Sequence, residues 1–356
     1  MKIALGLASR GLGCVWPNPA VGCVVVKDGR IIGRGWTQPG GRPHAETVAL
    51  AQAEKNAAGA TAYVTLEPCA HHGKTPPCAS ALVDAAVARV VVALKDPDPR
   101  VDGGGIAMLE AAGIQVDVGC LAAQAADLNR GFLNKVVAQR PFVTLKLASS
   151  FDGRIATASG ESQWITGPEA RRHVHAMRAT HDAVMVGGGT ARADDPSLTV
   201  RGFGEVRQPV RVVVSRGLDI PLNSVLARTA MQWPVWICTS DDAPAELRDA
   251  WSSAGARLFD ISTDADTQLD PTKIMTALAQ QGLTRVFCEG GGALAGSVLA
   301  ADQVDEIVGF TAGTVLGADG VSSIGAMGID RLAAAPRFKL KSVQRVGDDI
   351  MHIWTR

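Results

Sequence analysis

Short apolar runs alternate with helix-like stretches along most of this chain, and that alternation limits the fold more than any single motif does. Strands separated by helical stretches need crossover connections, so the pattern reads as α/β, with sheets flanked by helices. Gly22 to Val26 and Ile31 to Trp36, joined through Lys27-Asp28-Gly29-Arg30, read as a β-hairpin with Asp-Gly at the turn. Ala45 to Ala58 is an Ala-rich helix stopped by Gly59. Thr61 to Leu66 and Val90 to Leu94 read as strands, the second ended by Asp96-Pro97-Asp98-Pro99. Cys78 to Ala88 reads as a helix that starts after Pro76-Pro77. Near Gln139-Arg140-Pro141 the pattern restarts. Strands are expected at Phe142 to Ala148, Ala183 to Val186, Arg211 to Ser215, Pro234 to Thr239, Arg285 to Cys288, Val304 to Phe310 and within 337–354. Helices are expected at Pro168 to Thr180 and near 244–253, 271–281 and 292–300. Two successive α/β domains follow, 1–140 and 141–356.

At 356 residues the chain has room for two domains of ~150 residues. Its 35 basic and 35 acidic residues cancel, which argues against a nucleic-acid partner and against an anionic membrane surface. The apolar stretch Ile3 to Ala8 is cut by Arg10, too short for an export signal, so a helix opening the first domain is the reading. Seven cysteines, an odd number, suggest reduced thiols and a cytoplasmic location. Cys14, Cys23, Cys120, Cys238 and Cys288 read as small buried hydrophobes.

The other two cysteines carry chemistry. His44-Ala45-Glu46 opens a helix, Pro68-Cys69 follows a strand and Cys78 opens the next helix. One imidazole and two thiolates suit zinc, and three protein ligands leave a fourth corner for water, whose pKa zinc lowers to about 7. Glu46, two residues from His44, is placed to shuttle protons rather than bind metal. Residues i and i+2 share a pocket only where the backbone is just entering the helix. The order His-x-Glu, Pro-Cys, Cys resembles the zinc-deaminase signature, and the role of Glu46 as general acid/base comes with that resemblance. Eight residues separate the two cysteines here, where the usual signature has two. They include His71, His72 and Lys74, suited to a substrate bearing phosphate.

Pro17-Asn18-Pro19-Ala20-Val21-Gly22, His44-Ala45-Glu46 and Glu67-Pro68-Cys69 through Pro76-Pro77-Cys78 resemble the deaminase half of the bifunctional bacterial riboflavin-biosynthesis deaminase/reductase. The resemblance implies a cytidine-deaminase-like α/β/α domain, zinc on His44, Cys69 and Cys78, and a phosphoribosylaminopyrimidine substrate that loses a ring amine. It also implies Asn18 on the substrate ring and His71 and Lys74 toward the ribose phosphate; His72 reads as a solvated loop residue.

The second domain has two glycine-rich turns after apolar strands, Gly187-Gly188-Gly189-Thr190 and Glu289-Gly290-Gly291-Gly292. Glycines let backbone amides approach a phosphate, and a following helix start favours it. Gly290, Gly292 and Ala295 fit Gly-x-Gly-x-x-Ala, a weak signal without the acidic residue about 20 positions on. Lys146 lies in an apolar strand, where it should face a ligand or a carboxylate. These pieces resemble the reductase half of the same family. That resemblance implies a dihydrofolate-reductase-like α/β domain and NADPH as reductant of the ribosyl side chain. Residue by residue it places Ala148, Trp164, Thr190, Asp194, Ser215 and the turn Gly291, Gly292, Ala293, Leu294, Ala295, Gly296 and Ser297 on cofactor positions. Lys146, Ser162, Arg178, Leu198, Arg201 and Glu289 fall toward the substrate, with Arg216 a candidate for the 2′-phosphate. Arg178 and Arg201 can grip one phosphate, and Lys146 can polarise a ring carbonyl. Asp194 and Glu289 remain alternatives for assisting proton transfer. The family also implies a homo-oligomer assembled through this domain. The competing readings are a deaminase of free nucleosides or cytosine, a thiol-based redox or metal-responsive binding protein, and, from fold alone, a folate reductase.

Overall fold

Asp28 and Gly29 both take left-handed backbone, φ +49° and +73°, the geometry that matches strand twist in a two-residue hairpin loop. β1 (Gly22–Lys27) therefore turns directly into β2 (Arg30–Trp36), with Lys27 opposite Arg30. The computed structural model describes residues 1–71, 76–263 and 268–356. The chain divides into two units, Met1–Arg140 and Pro141–Arg356.

In the first unit the other elements are α1 (Lys2–Ala8), α2 (Ala45–Ala53), β3 (Thr61–Val64), α3 (Cys78–Asp84), β4 (Arg89–Val92), α4 (Gly104–Ala111), β5 (Gln115–Val118), α5 (Ala122–Leu128) and α6 (Arg130–Ala138). Among the described residues the sheet runs β2-β1-β3-β4-β5, antiparallel across β1 and parallel from β3 to β5. Ala45, Ala49 and Ala53 recur every four residues and are buried along one face of α2. That face lies directly on β2: a Cβ on Gly33 would sit 2.1 Å from Ala49 O, and one on Gly35 2.0 Å from Ala45 O. Small residues on both sides thus bring helix and sheet into near-backbone contact, and fix where the His44 end of the helix stands. The core beneath joins Val25, Leu66, Leu82, Val90 and Leu109.

The second unit contains β6 (Phe142–Ser149), β7 (Arg154–Ala156), α7 (Pro168–Ala179), β8 (Ala183–Gly187), α8 (Gly188–Asp194), β9 (Val210–Val214), α9 (Val225–Arg228), β10 (Val235–Thr239) and α10 (Ala245–Ser253). It continues with β11 (Arg257–Asp260), α11 (Pro271–Gln280), β12 (Arg285–Gly290), α12 (Gly292–Ala300), β13 (Glu306–Thr311), β14 (Val321–Ser322), β15 (Lys339–Val346) and β16 (Asp349–Thr355). Among the described residues its main sheet has nine strands in the order β11-β10-β9-β8-β12-β6-β13-β16-β15. Neighbours from β11 to β13 are parallel, and β16 and β15 close one edge antiparallel. Val184, Val186, Val213, Ile237, Phe287 and Trp251 are in its core.

Several expectations need correction. The helix begun by Cys78 stops at Asp84 rather than reaching Ala88, while the 337–354 segment forms the antiparallel pair β15 and β16. β5 and β11 lack the long apolar runs that mark the inner strands. Cys23, Cys238 and Cys288 are buried as expected, whereas Cys14 is half-buried and Cys120 exposed. Among the described residues no helix is long and apolar enough to cross a membrane.

Candidate active sites

His44 is the N-cap of α2, with extended backbone at φ −71°, ψ 161°, and Glu46 lies in the first turn. The change from extended to helical backbone between them lets both side chains share one pocket. Cys69 follows the end of β3, and Cys78 is the first residue of α3. His44 Nδ1 stands 3.2 Å from Cys78 Sγ and 3.7 Å from Cys69 Sγ, and the three atoms lie within 4.8 Å of one another. Tetrahedral zinc, with Zn–N of ~2.0–2.1 Å and Zn–S of ~2.3 Å, separates a nitrogen from a sulfur by about 3.6 Å. The observed spacings bracket that value, so this donor set fits zinc.

The electrostatics agree. The Cys78 thiol hydrogen-bonds to Cys69 and holds it down to about 4, while Cys78 itself is pushed up by the same shared proton and by burial. The hydrogen bond with Cys69 raises His44. Two sulfurs and an imidazole competing for protons in this way are a site that a cation would satisfy. Burial pushes Glu46 up to about 7, with Cys69 adding to the rise and His44 opposing it.

A cavity of about 280 Å³ opens over this cluster, and Asn18, His44, Glu46, Cys69 and His71 all line it. His71 Nδ1 is buried without a hydrogen-bond partner, as befits a group waiting for a ligand. Lys74 and His72 lie outside the described residues. The structure adds Asp96, Asp98, Arg100 and Lys135 to the wall. The first three follow β4, whose carboxyl end adjoins that of its parallel neighbour β3, the usual place for ligands in such sheets. The sequence marks the Asp-Pro-Asp-Pro run only as a strand terminator; its place at the carboxyl end of a parallel strand is the signal for a binding role. Burial pushes Asp96 up to about 6. Lys135, half-buried on α6, has its ammonium pushed down by burial and by Arg100. Nothing in the local sequence marks it.

In the second unit Lys146 and Ala148 lie late in β6, Thr190 and Asp194 follow β8, Ser215 follows β9, and Glu289 and the 291–297 turn end or follow β12. Thr190 Oγ1 donates to Gly290 O at 3.1 Å, joining the two glycine turns. A Cβ on Gly291 would lie 2.6 Å from that hydroxyl oxygen, so the close approach requires glycine. Arg178 forks onto Glu289, with Nε 2.5 Å from Oε1 and Nη2 2.9 Å from Oε2, and its Nη1 donates to Thr199 O at 2.8 Å. Burial pushes the Glu289 carboxyl up, but the Arg178 guanidinium outweighs it and holds Glu289 below the usual carboxylate range. Burial lowers Lys146, with Glu289 and Asp194 opposing it, and raises Asp194 with Lys146 opposing. Lys146 thus faces carboxylates, though among the described residues it forms no ion pair within 4 Å.

Some expectations narrow. Arg178 is committed to Glu289, so it is not a free phosphate grip. Glu289, doubly bonded to a guanidinium, is held as an ion and not as a proton donor. Leu198 is 2 % exposed with φ +54°, so only its backbone can face a ligand. Leu294, Ala295 and Gly296 are buried, and the Ala295 N–H donates to Gly291 O, which leaves Gly291, Gly292 and Ala293 as the open part of that turn. Ser215 is buried with its hydroxyl donating to Asp219. Ala148 and Ser297 are half-buried, and Ser162 lies in the loop before α7. Trp164 is exposed under the Arg171 guanidinium, 4.5 Å from the ring centroid. Arg216 pairs with Asp242 at 3.1 Å. His175 was missed: its Nδ1 accepts from Arg201 N at 3.2 Å, and it lies one turn before Arg178 on the same helix face.

Residues 141–352 match the family model for the RibD C-terminal domain, and residues 1–94 match the cytidine and deoxycytidylate deaminase zinc-binding region. The riboflavin biosynthesis protein RibD of Escherichia coli is 42% identical over 98% of this chain and 96% of its own length. The solved structure of Acinetobacter baumannii RibD superimposes with a TM-score of 0.89 at 40% identity, covering 99% of this chain and 97% of that one. A Thermotoga maritima structure described as a diaminohydroxyphosphoribosylaminopyrimidine deaminase/5-amino-6-(5-phosphoribosylamino)uracil reductase gives 0.87 at 35% identity, covering 100% and 97%. With a zinc-competent deaminase pocket in its first unit and a RibD reductase domain in its second, the chain belongs to the RibD family of bifunctional deaminase/reductases of riboflavin biosynthesis.

Proposed function

We propose that the first unit hydrolytically deaminates 2,5-diamino-6-(5-phosphoribosylamino)pyrimidin-4-one, and that the second reduces the ribosyl side chain of the product to ribityl with NADPH. The observation that carries the deaminase reading is the convergence of His44, Cys69 and Cys78 beneath a cavity that also holds a buried carboxyl group, Glu46. Those three side chains would hold zinc, which supplies Lewis acidity for water attack on the ring carbon. Glu46, kept near neutral pH by burial, is suited to take a proton from water and deliver it to the ring and the departing ammonia. Asn18, in the wall of the same cavity, is proposed to bond the ring edge. His71, whose Nδ1 has no hydrogen-bond partner among the described residues, and Lys135, with no carboxylate within 4 Å among them, are suited to the phosphate end; Lys74 is proposed with them.

In the second unit NADPH supplies hydride. The open amides of Gly291 to Ala293 and the Thr190 turn are proposed to hold the cofactor, with Ala148, Trp164 and Asp194 beside it. Lys146 is proposed to polarise the substrate, and Asp194, whose carboxyl is raised, is the better of the two acids for proton delivery. Arg201, exposed and without an ion pair among the described residues, is proposed as the phosphate contact, and Ser162 as a neighbour on the substrate side. A homo-oligomer through this unit is also proposed; the exposed edge strand β15, with Leu340 and Val343 uncovered, is compatible with one.

The deciding experiment is a coupled assay of ammonia release and NADPH oxidation on the phosphorylated diaminopyrimidine. Both signals, with ammonia first, are expected. Ammonia from free cytosine or cytidine without NADPH oxidation would favour the rival nucleoside deaminase.

A further inference from the structure

Glu67 takes no part in the chemistry above, yet it is 4 % exposed and stands two residues before Cys69. A polar side chain is costly to bury unless its atoms find partners, and here every partner is a main-chain N–H. Oε1 accepts from Gly105 at 3.0 Å and Ile106 at 3.2 Å, and Oε2 accepts from Gly103 at 3.1 Å and Asp96 at 3.2 Å. Three of these donors are N–H groups at the start of α4 that have no intrahelical acceptor. The fourth belongs to the loop that carries Asp96, Asp98 and Arg100 along the cavity wall.

The contact leaves no slack. A Cβ on Gly105 would lie 1.9 Å from Pro68 O and 3.3 Å from Glu67 Oε1. On the other side, Cys69 Sγ accepts from Cys78 N at 3.3 Å, and Cys69 O accepts from Ala79 N at 3.2 Å. The Glu67-Pro68-Cys69 turn is therefore clamped between α4 and α3, and one carboxyl group makes the α4 side of the clamp.

We propose that Glu67 is a positioning residue of the deaminase, setting where the Cys69 sulfur stands against His44 and Cys78 and where the 96–100 wall stands against substrate. It rests on the reading that the first unit binds zinc. Glutamine cannot replace it, because its amide nitrogen would face two N–H donors and leave both without an acceptor.

The test uses the full-length chain loaded with cobalt(II) in place of zinc. Wild type and Glu67→Gln are compared by their thiolate-to-cobalt charge-transfer and d–d bands at metal saturation, below the unfolding temperature. The variant is expected to show shifted, weaker bands and about tenfold to hundredfold lower metal affinity in competition with a chromophoric chelator. It should also show a raised KM for deamination and unchanged reductase turnover on the pre-deaminated pyrimidine. A residue that only stabilised the fold would lower the melting temperature and leave the bands alone. Glu67→Asp, which keeps two acceptor oxygens on a shorter side chain, takes the same measurements if Glu67→Gln does not fold. Bands and affinity identical to wild type overturn the proposal. A wild-type chain that takes up no cobalt through thiolate overturns the zinc reading instead.

Discussion

The two sites are built on opposite electrostatic plans. In the first unit an imidazole and two sulfurs stand within 4.8 Å of one another, competing for protons. In the second, Arg178 and Glu289 are already matched in a two-bond fork, each about a tenth exposed. The deaminase pocket is completed by a cation, whereas the reductase pocket is complete as a framework and offers its ligands chiefly backbone amides and peripheral charges. Loss of one group should therefore empty the first site and loosen the second.

The largest expected effect breaks the first plan. Cys78→Ser removes one of the two sulfurs of the donor set. Zinc content by atomic emission should fall from stoichiometric to near nil and ammonia release should vanish, with NADPH oxidation on pre-deaminated substrate unchanged. Retained zinc with full deamination would show that the cluster is not the metal site. Glu46→Gln sharpens the same point, since it touches no ligand atom. Metal should stay while deamination drops about 10²–10⁴-fold, the usual worth of a positioned acid/base. Undiminished ammonia release would remove Glu46 from the mechanism.

These sites were unequally legible in the sequence, for physical reasons. A metal centre demands particular atoms, so His44, Cys69 and Cys78 stand out by type even when 25 and 9 positions apart. The close approach of α2 to β2 was likewise readable in kind, as an alanine face and a strand with alternate glycines. The 96–100 wall and Lys135 were not: their role comes from where β4 and α6 end in space, and nothing in their own residues requires it. The fold shows the same division. Inner strands such as β8 and β10 are buried nearly throughout and appear as apolar runs, whereas the edge strands β5 and β11 only half-bury their middle residues and leave no such run. In the reductase, resemblance singles out Arg178 and Glu289 but not their pairing, because residues 111 positions apart show no sign of contact in one sequence.

That pairing gives the next prediction. Arg178→Ala leaves Glu289 buried without its counter-ion, so the cost should be about 3–5 kcal/mol, seen as an earlier unfolding transition of the second unit in urea. Replacing both residues by leucine should recover much of that loss. A single replacement without measurable cost would show that the fork contributes nothing to the framework, and the contrast with the first site would fail.

The smallest effect is also the most discriminating. Arg201 is exposed, and its fixed contact is through its backbone to His175, so its guanidinium is free to meet a ligand. Removing it should not disturb the fork, the glycine turns or the sheet. Arg201→Ala should weaken binding of the deaminated, phosphorylated intermediate by ~1.5–3 kcal/mol, the range for a charge-assisted hydrogen bond, which is roughly tenfold to hundredfold in Kd. NADPH binding, measured by fluorescence titration, should change little, because the cofactor is proposed to lie on the amides of Gly291 to Ala293 and not on this side chain. Since both ligands carry phosphate, equal loss of the two affinities would mean that Arg201 acts through a general field over the pocket. The idea that the second site assigns its ligands to separate groups would then give way to one in which a shared positive rim attracts both.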